Sequence, residues 1–289
     1  MTDIPGIVGV LGGGRMGAGI AHAFVVAGST VRVVERDDEQ AAAALERVTS
    51  ALAASVRRGT VGEPLDDLAD RIETGTDDAL FDECELVIEA VPEDPALKAA
   101  SLARIEDRVG AETPIASNTS SLSIDALAAA LRFPQRFLGL HFFNPVPASQ
   151  LVEIVVGTAT GISIVSEAQD WVAALGKTPV TVKDSPGFAS SRLGVVIGLE
   201  AIRMLEEGVA SADDIDAAMV LGYKFPVGPL RLTDIVGLDV RLGIAEYLHS
   251  QLGGRFEPPQ LLRDKVAAGE LGRKTGTGFF TWNDDGGTQ

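Results

Sequence analysis

One histidine in this sequence lies where a proton-handling residue would be expected. His141 is in the stretch GLHFFNPVP, and the chain contains only three histidines. An unperturbed histidine has a pKa of about 6.5, which suits a general base at neutral pH. Glu153 follows twelve residues later in the apolar segment LVEIV. A carboxylate there needs a partner, and a hydrogen bond to His141 would satisfy it and fix the imidazole tautomer.

A polar turn offers a third chemical group. Ser120 lies in SNTSS, directly after PIAS. If PIAS is a strand, Ser120 reaches the carboxyl edge of the sheet, where open α/β sheets bind ligands. We expect its hydroxyl to contact a substrate oxygen or the carboxamide of a cofactor, with an ordinary polar turn as the alternative. Asn144 precedes Pro145, which disfavours helix there and keeps the segment after His141 extended or turned.

A glycine-rich motif near the N-terminus predicts the cofactor. Gly12, Gly14 and Gly17 form G-x-G-x-x-G between an apolar strand and a helix. In that context the three glycines allow a tight turn, close approach of the backbone to a pyrophosphate, and close packing of helix on strand. Arg15 and Met16 lie inside the motif and are expected beside the cofactor.

The end of the next strand predicts which dinucleotide binds. Glu35 ends TVRVVE, 23 residues after Gly12. An acid at this position accepts both ribose hydroxyls and repels a 2′-phosphate, which favours NAD over NADP. Arg36 follows directly and would weaken that preference.

The elements that position these residues follow from the alternation of β-branched and alanine-rich stretches. Strands are predicted at IVGVLG, VRVVE, ELVIEAV, PIASN, FLGLHFF, LVEIVV and PVTV, and helices are predicted to begin near Gly17, Asp38, Pro95, Ser123 and Ser163. This alternation predicts βαβ units and an α/β fold, with a Rossmann-type, mostly parallel sheet covered by helices.

The pattern changes after VKDSPGF. No strand is predicted between about Ser190 and Leu271, whereas SRLGVVIGLEAIRMLEEG has helical spacing and ends at Gly208, a typical C′ residue. Ser211 is predicted to cap the next helix. We therefore predict a nucleotide-binding domain at 1–184 and a smaller all-helical domain at 185–289, with a frayed end over NDDGGTQ.

Composition excludes several classes of function. The net charge of −17 argues against nucleic acid or an anionic membrane as partner. The sequence lacks a run of about 18 apolar residues, and because its first residues have no basic n-region we expect no signal peptide. The lone Cys84 is expected to be a half-buried thiol in a reducing cytoplasm. His22 and His249 are interpreted as structural, and no spacing of His, Cys and acids suggests a metal site.

Several blocks together resemble the short-chain L-3-hydroxyacyl-CoA dehydrogenase (3-hydroxybutyryl-CoA dehydrogenase) family over nearly the whole chain. The blocks are SNTSSL (117–122), GLHFFNPVPASQLVEIV (139–155), KDSPGF (183–188) and GRKTGTGFF (272–280). The resemblance implies NAD as cofactor, oxidation of the 3-hydroxyl of an acyl-CoA, and a homodimer formed through the helical domain.

The resemblance also implies roles for individual residues. His141 is the catalytic base and Glu153 its partner. The residues implied to contact substrate, nicotinamide or other parts of the cofactor are Ser120, Asn144, Glu93, Lys98 and Lys274, and Arg58 stands where the family has a lysine near CoA. Ser191 replaces the family's substrate-binding asparagine and has a shorter reach, which puts the acyl chain-length preference in question.

Other interpretations remain open at this point. A related dehydrogenase could act on 3-hydroxyadipyl-CoA or on a gulonate-type sugar acid, and a protein that binds dinucleotide without catalysis is a third possibility. Lys98 could lie on an exposed helix face, and Arg57 and Arg58 could form a solvated helix end.

Overall fold

The computed structural model describes residues 4–283. The chain divides into two compact units, 1–185 and 186–289, one residue from the predicted boundary. Residues 284–289, most of the stretch predicted to fray, lie outside the described residues.

The first unit is built on one eight-stranded sheet. Its strands are β1 (Ile7–Leu11), β2 (Thr30–Val34), β3 (Ile72–Gly75), β4 (Leu86–Glu89), β5 (Ile115–Ser117), β6 (Phe137–Phe142), β7 (Leu151–Val156) and β8 (Thr178–Lys183). The spatial order is β3-β2-β1-β4-β5-β6-β7-β8. Neighbouring strands are parallel except β6 and β7, which are antiparallel. The α/β fold class with a mostly parallel sheet is therefore confirmed.

Six helices of the described chain accompany this sheet: α1 (Arg15–Val26), α2 (Asp38–Arg57), α3 (Leu65–Ala69), α4 (Pro95–Glu106), α5 (Ile124–Ala128) and α6 (Ile162–Ala174). The helix starts lie within two residues of the predicted positions because the caps are local. Asp37, Asp94 and Ser123 each accept a backbone N–H in the first turn of their helix. Helix α3 and strand β3 were not predicted.

The central strands are buried over almost every residue, as both faces of a parallel sheet require. Strands β1 and β4 are neighbours although β2 and β3 come between them in sequence. The chain therefore leaves β1 in one direction and β4 in the other, which forms a switch point at the carboxyl ends of the strands. The turns after β1, β4, β5 and β6 all lie at this edge.

The second unit has no named strand within its described residues. Its helices are α7 (Ser190–Glu206), α8 (Ala212–Ala217), α9 (Pro229–Val236), α10 (Leu238–Leu252) and α11 (Gln260–Ala267). Gly208 has φ +71 after α7, as its predicted C′ role requires, and Ser211 caps α8 as predicted. Helices α9 and α10 meet at Gly237, whose φ of +105 separates them. No helix of residues 4–283 is long and apolar enough to span a membrane.

Candidate active site

The glycine turn after β1 has the geometry of a phosphate-binding turn. Gly12 has φ +94, which a side chain would disfavour. A Cβ at Gly17 would lie 1.8 Å from the carbonyl oxygen of Gly12, so helix and turn could not approach as they do. A Cβ at Gly14 would meet no described atom within 4 Å, which leaves open space over the start of α1. Backbone N–H groups and the helix dipole there suit a pyrophosphate.

The carboxylate of Glu35 lies beside this turn. Its Oε1 accepts a hydrogen bond from the N–H of Gly13 at 2.7 Å, and its Oε2 accepts one from the N–H of Arg36 at 3.1 Å. The Arg36 side chain is exposed and its Nε lies 3.1 Å from Asp37. The acid therefore lies beside the glycine turn, and the neighbouring guanidinium is paired with a different acid. The open turn and this carboxylate fit the adenosine half of a dinucleotide.

Arg15 and Met16 begin α1. Arg15 is exposed, whereas Met16 is partly buried against the core of the sheet. Of the two, only Arg15 presents its side chain largely to solvent beside the turn.

Lys98 of α4 lies in the interior of the first unit. Its side chain is fully buried, so the exposed-face interpretation is wrong. The ammonium lies 2.7 Å from Oε1 of Glu89 and donates to the backbone oxygens of Val91 at 3.2 Å and Asn118 at 3.0 Å. Lys98 therefore joins the loops after β4 and β5. Its side chain has no exposed surface, and its hydrogen bonds hold those two loops together.

Glu89, the partner of Lys98, was not identified from the sequence. It is fully buried at the end of β4. Its Oε1 also accepts the N–H of Val91 at 2.7 Å, and its Oε2 accepts the hydroxyl of Ser117 at 2.5 Å. Burial raises the pKa of Glu89, and Lys98 and these hydrogen bonds oppose that shift. The sequence did contain a signal for Glu89: an acid inside the apolar segment ELVIEAV is expected to be buried, and a buried carboxylate requires a partner.

Glu93 organises the polar turn that carries Ser120. Its Oε1 accepts the hydroxyl of Thr119 at 2.5 Å, the N–H of Ser120 at 3.0 Å and the hydroxyl of Ser120 at 3.2 Å. Oε2 of Glu93 lies 3.7 Å from Nζ of Lys98, so the buried ammonium also faces this second carboxylate. Ser120 is therefore held in place by Glu93, for which the resemblance implies a position near the cofactor.

The predicted bond between His141 and Glu153 is present. Nδ1 of His141 lies 2.7 Å from Oε2 of Glu153, and the two residues are register partners in β6 and β7. The histidine is 7% exposed and the glutamate is fully buried. A carboxylate accepts, so Nδ1 carries the proton and Nε2 is the basic nitrogen. The ring of Phe143 lies 4.2 Å from the imidazole, centroid to centroid.

Asn118 connects the polar turn to the histidine strand. Its Oδ1 accepts the N–H of Phe142 at 3.0 Å, one residue after His141. Asn144 is exposed beyond the end of β6, and its peptide bond to Pro145 is cis. In the first unit, the structure thus brings the turn with Ser120, Lys98 on α4 and His141 near the end of β6 to one edge of the sheet.

The remaining predicted residues have separate surroundings. Arg58 is exposed after α2 and donates to the hydroxyl of Ser55 at 3.3 Å. In the second unit, Lys274 donates to both carboxylate oxygens of Asp239 at 2.6 Å, and Ser191 is half-buried in the first turn of α7.

Two buried groups of the first unit have strongly shifted pKa values. Burial, followed by the positive charges of Lys177 and Arg58, lowers the pKa of His22 to about 4. Its Nε2 lies 2.9 Å from the hydroxyl of Ser55. Burial raises the pKa of Cys84 to about 12, and this thiol is buried rather than half-buried as predicted.

Among residues 4–283, no cluster of three or more His, Cys, Asp or Glu side chains could hold a metal ion.

A dinucleotide turn at the switch point of a parallel sheet, with a buried histidine–glutamate pair at the same edge, defines an NAD-dependent dehydrogenase. Residues 7–185 match the family model "3-hydroxyacyl-CoA dehydrogenase, NAD binding domain". Residues 187–282 match the model "3-hydroxyacyl-CoA dehydrogenase, C-terminal domain". The chain therefore belongs to the 3-hydroxyacyl-CoA dehydrogenase family.

Individual relatives agree over nearly the full length. The 3-hydroxybutyryl-CoA dehydrogenase of Mycobacterium tuberculosis is 42% identical over 98% of this chain and 100% of the relative. The mitochondrial hydroxyacyl-coenzyme A dehydrogenase of Sus scrofa is 38% identical over 95% of this chain and 90% of that protein. The crystal structure of (S)-3-hydroxybutyryl-CoA dehydrogenase from Ralstonia eutropha has a TM-score of 0.92 and 39% identity, covering 97% of this chain and all of that one.

Proposed function

We propose that the chain oxidises the 3-hydroxyl of short-chain L-3-hydroxyacyl-CoA, for example 3-hydroxybutyryl-CoA, to the 3-ketone with NAD as acceptor. The observation that carries the proposal is the buried bond between His141 and Glu153 at the edge of the sheet that also bears the dinucleotide turn. The names of the relatives support an acyl-CoA substrate.

The chemistry divides between the cofactor and the protein. Oxidation of the alcohol removes a hydride from C3 and a proton from oxygen, and bound NAD supplies the hydride acceptor. Nε2 of His141 takes the proton from the hydroxyl, while Glu153 accepts Nδ1–H and stabilises the resulting imidazolium. In the reverse direction the same nitrogen returns the proton to the ketone oxygen.

Ser120 and Glu93 place the reacting oxygen. With substrate bound, the hydroxyl of Ser120 turns its proton from Glu93 to the substrate oxygen, while Glu93 still accepts the backbone N–H of Ser120 and so holds the serine turn. Asn144 at the end of the histidine strand and Lys274 of the helical unit are assigned to the nicotinamide half of the cofactor. Gly12, Gly14, Gly17 and Glu35 hold the adenosine half.

We propose the compartment, the oligomeric state and the excluded partners of the enzyme from its charge, its thiol content and its exposed apolar surface. We assign it to the cytoplasm, which agrees with its single buried cysteine. We assign it to a homodimer formed through the helical unit, where Leu221 is 70% and Tyr223 is 75% exposed. The net charge of −17 argues against nucleic acid or an anionic membrane as partner.

A substrate panel tests this function. We would measure kcat/KM with NAD and NADP for CoA thioesters of increasing acyl length and for free 3-hydroxy acids. We expect turnover of the thioesters with NAD and at least tenfold lower kcat/KM with NADP, because Glu35 repels a 2′-phosphate. Turnover of free sugar acids but not of thioesters would contradict the proposal, and NAD binding without turnover of any substrate would favour a non-catalytic role.

A further inference from the structure

Glu89 is a buried carboxylate at the end of β4, and its side chain contacts both loops that carry the polar residues of the site. Its Oε1 accepts hydrogen bonds from Nζ of Lys98 and from the N–H of Val91, each at 2.7 Å, and its Oε2 accepts the hydroxyl of Ser117 at 2.5 Å. A buried acid costs free energy unless it is paired. The other residues of β4 are apolar, so the sheet itself does not require a carboxylate here.

The ammonium of Lys98 has three donors, and each of them has an acceptor other than Glu93. The acceptors are Oε1 of Glu89 at 2.7 Å and the backbone oxygens of Val91 at 3.2 Å and Asn118 at 3.0 Å. Oε2 of Glu93 lies 3.7 Å from the same nitrogen, which is longer than a hydrogen bond. Glu93 therefore faces the positive charge without forming a direct bond to it.

The carboxylate of Glu93 is bonded instead to the serine turn. Its Oε1 accepts the hydroxyl of Thr119 at 2.5 Å and the N–H of Ser120 at 3.0 Å. The position of Ser120 thus depends on where this carboxylate lies, and the carboxylate in turn lies next to a cation that another acid holds back.

Loss of the Glu89 carboxylate would change this balance. Glu93 would then be the carboxylate nearest to Lys98, and a direct N–O ion pair has a length of about 2.8 Å. Shortening the present 3.7 Å to that length moves one of the two groups by about 1 Å. A displacement of this size at a group that positions substrate costs on the order of 100-fold in rate.

We propose that Glu89 is a positioning residue of the reaction: its carboxylate holds the Lys98 ammonium on the two loops, which leaves Glu93 to hold the turn that carries the Ser120 hydroxyl. The inference rests on the proposed function, since it takes Ser120 as the contact to the substrate oxygen. That contact strengthens as charge develops on the oxygen, so loss of Glu89 should lower kcat and kcat/KM together and leave KM nearly unchanged.

The test is a double-mutant cycle on kcat, measured with acetoacetyl-CoA at saturating NADH, that combines Glu89→Gln with Ser120→Ala. Glu89→Gln alone should lower kcat by about 10- to 100-fold. In the Ser120→Ala protein the same change should lower kcat by no more than about twofold, because the hydroxyl that Glu89 positions is already absent. Equal losses in the two backgrounds would overturn the inference, since a merely structural role does not depend on the serine hydroxyl.

Glu106→Gln is the matched control. Glu106 is also a buried acid of the first unit, at 3% exposed, and its Oε1 lies 3.2 Å from Nη2 of Arg136. Its removal should lower the melting temperature, because a buried cation loses its partner, and should leave kcat as it is. A loss of kcat as large as that of Glu89→Gln would assign both effects to destabilisation and would overturn the inference.

A second variant covers the case in which Glu89→Gln does not fold. The double variant Glu89→Gln with Lys98→Met buries no charge and should recover much of the stability. Its kcat should nevertheless stay low, because the ammonium that connects the two loops is gone. Recovery of kcat together with stability would overturn the inference.

A crystal structure separates this inference from the proposed function. Absence of turnover of acetoacetyl-CoA by the natural protein would contradict the proposed function. The structure of Glu89→Gln should still show Nζ of Lys98 within about 3.2 Å of a carboxylate oxygen of Glu93. An ammonium that keeps its natural position in that variant would overturn the inference by itself.

Discussion

Nδ1 of His141 lies 2.7 Å from Oε2 of Glu153, and the two residues face each other across antiparallel strands β6 and β7. Both side chains are more than nine-tenths buried. The register of a sheet therefore holds the imidazole, and no flexible loop sets the position of its orienting acid. Such a pair fixes which ring nitrogen carries the proton before any substrate arrives.

Glu153→Gln should reduce turnover without unfolding the protein. The amide keeps the size of the side chain but can donate to Nδ1, which favours the tautomer with its proton on the wrong nitrogen. Comparable changes reduce kcat on the order of 10²- to 10⁴-fold. The measurement is kcat for NADH oxidation, with Glu167→Gln on the exposed face of α6 as control. A kcat within about threefold of the natural value would remove Glu153 from the mechanism.

Two glycine substitutions should separate cofactor binding from folding. Gly14→Ala adds a Cβ with no described atom within 4 Å, so the melting temperature should stay close to that of the natural protein. The Kd for NAD should rise by about tenfold or more, because the backbone approaches the pyrophosphate there. Gly17→Ala places a Cβ 1.8 Å from the oxygen of Gly12 and should destabilise the fold itself. Calorimetric NAD binding and thermal unfolding check both outcomes, and an unchanged Kd in Gly14→Ala would contradict the placement of the pyrophosphate.

Removing one charge of the Lys98–Glu89 pair should cost more than removing both. Lys98→Met leaves the Glu89 carboxylate fully buried without its cation, which costs about 3–5 kcal/mol of unfolding free energy. The double variant Glu89→Gln with Lys98→Met buries no charge and should recover much of that loss. Urea denaturation of the single and double variants measures the coupling. Additive losses would show that the two side chains do not stabilise one another.

His22 should make the protein less stable as the pH falls from about 6.5 to about 4. Its pKa in the folded protein is about 4, below the value of about 6.5 expected for unfolded chain. Between those values only the unfolded chain takes up the proton, so stability from this group is complete above pH 6.5 and falls by up to about 3 kcal/mol on acidification. Denaturation of the natural protein and of His22→Gln across this range should give curves that diverge. Parallel curves would exclude His22 as the source of acid sensitivity.

Two buried acids of the sheet, Glu153 and Glu89, each need a partner, and the sequence predicted the partner of Glu153 but not that of Glu89. The acid in LVEIV predicted the partner of His141 because an unpaired carboxylate in an apolar strand is costly. The acid in ELVIEAV carried the same signal, yet its partner Lys98 was assigned to the cofactor or to solvent. The difference is that α4, PALKAASLARIE, does not separate its apolar and polar residues onto two faces, so the burial of Lys98 could be recognised only from the two loops that it contacts.

The antiparallel pairing of β6 and β7 was accessible from the sequence, since eight residues separate the strands and a parallel crossover needs a dozen or more. Strand β3 was less accessible because it is short and only partly buried.

The most direct test of the proposed chemistry is the rate of NADH oxidation by acetoacetyl-CoA in the natural protein and in His141→Ala. We expect steady consumption of NADH by the natural protein and a loss of several orders of magnitude in kcat for the variant, with NAD binding retained because the glycine turn and Glu35 are untouched. Near-normal turnover by His141→Ala would contradict the assignment of His141 as the base.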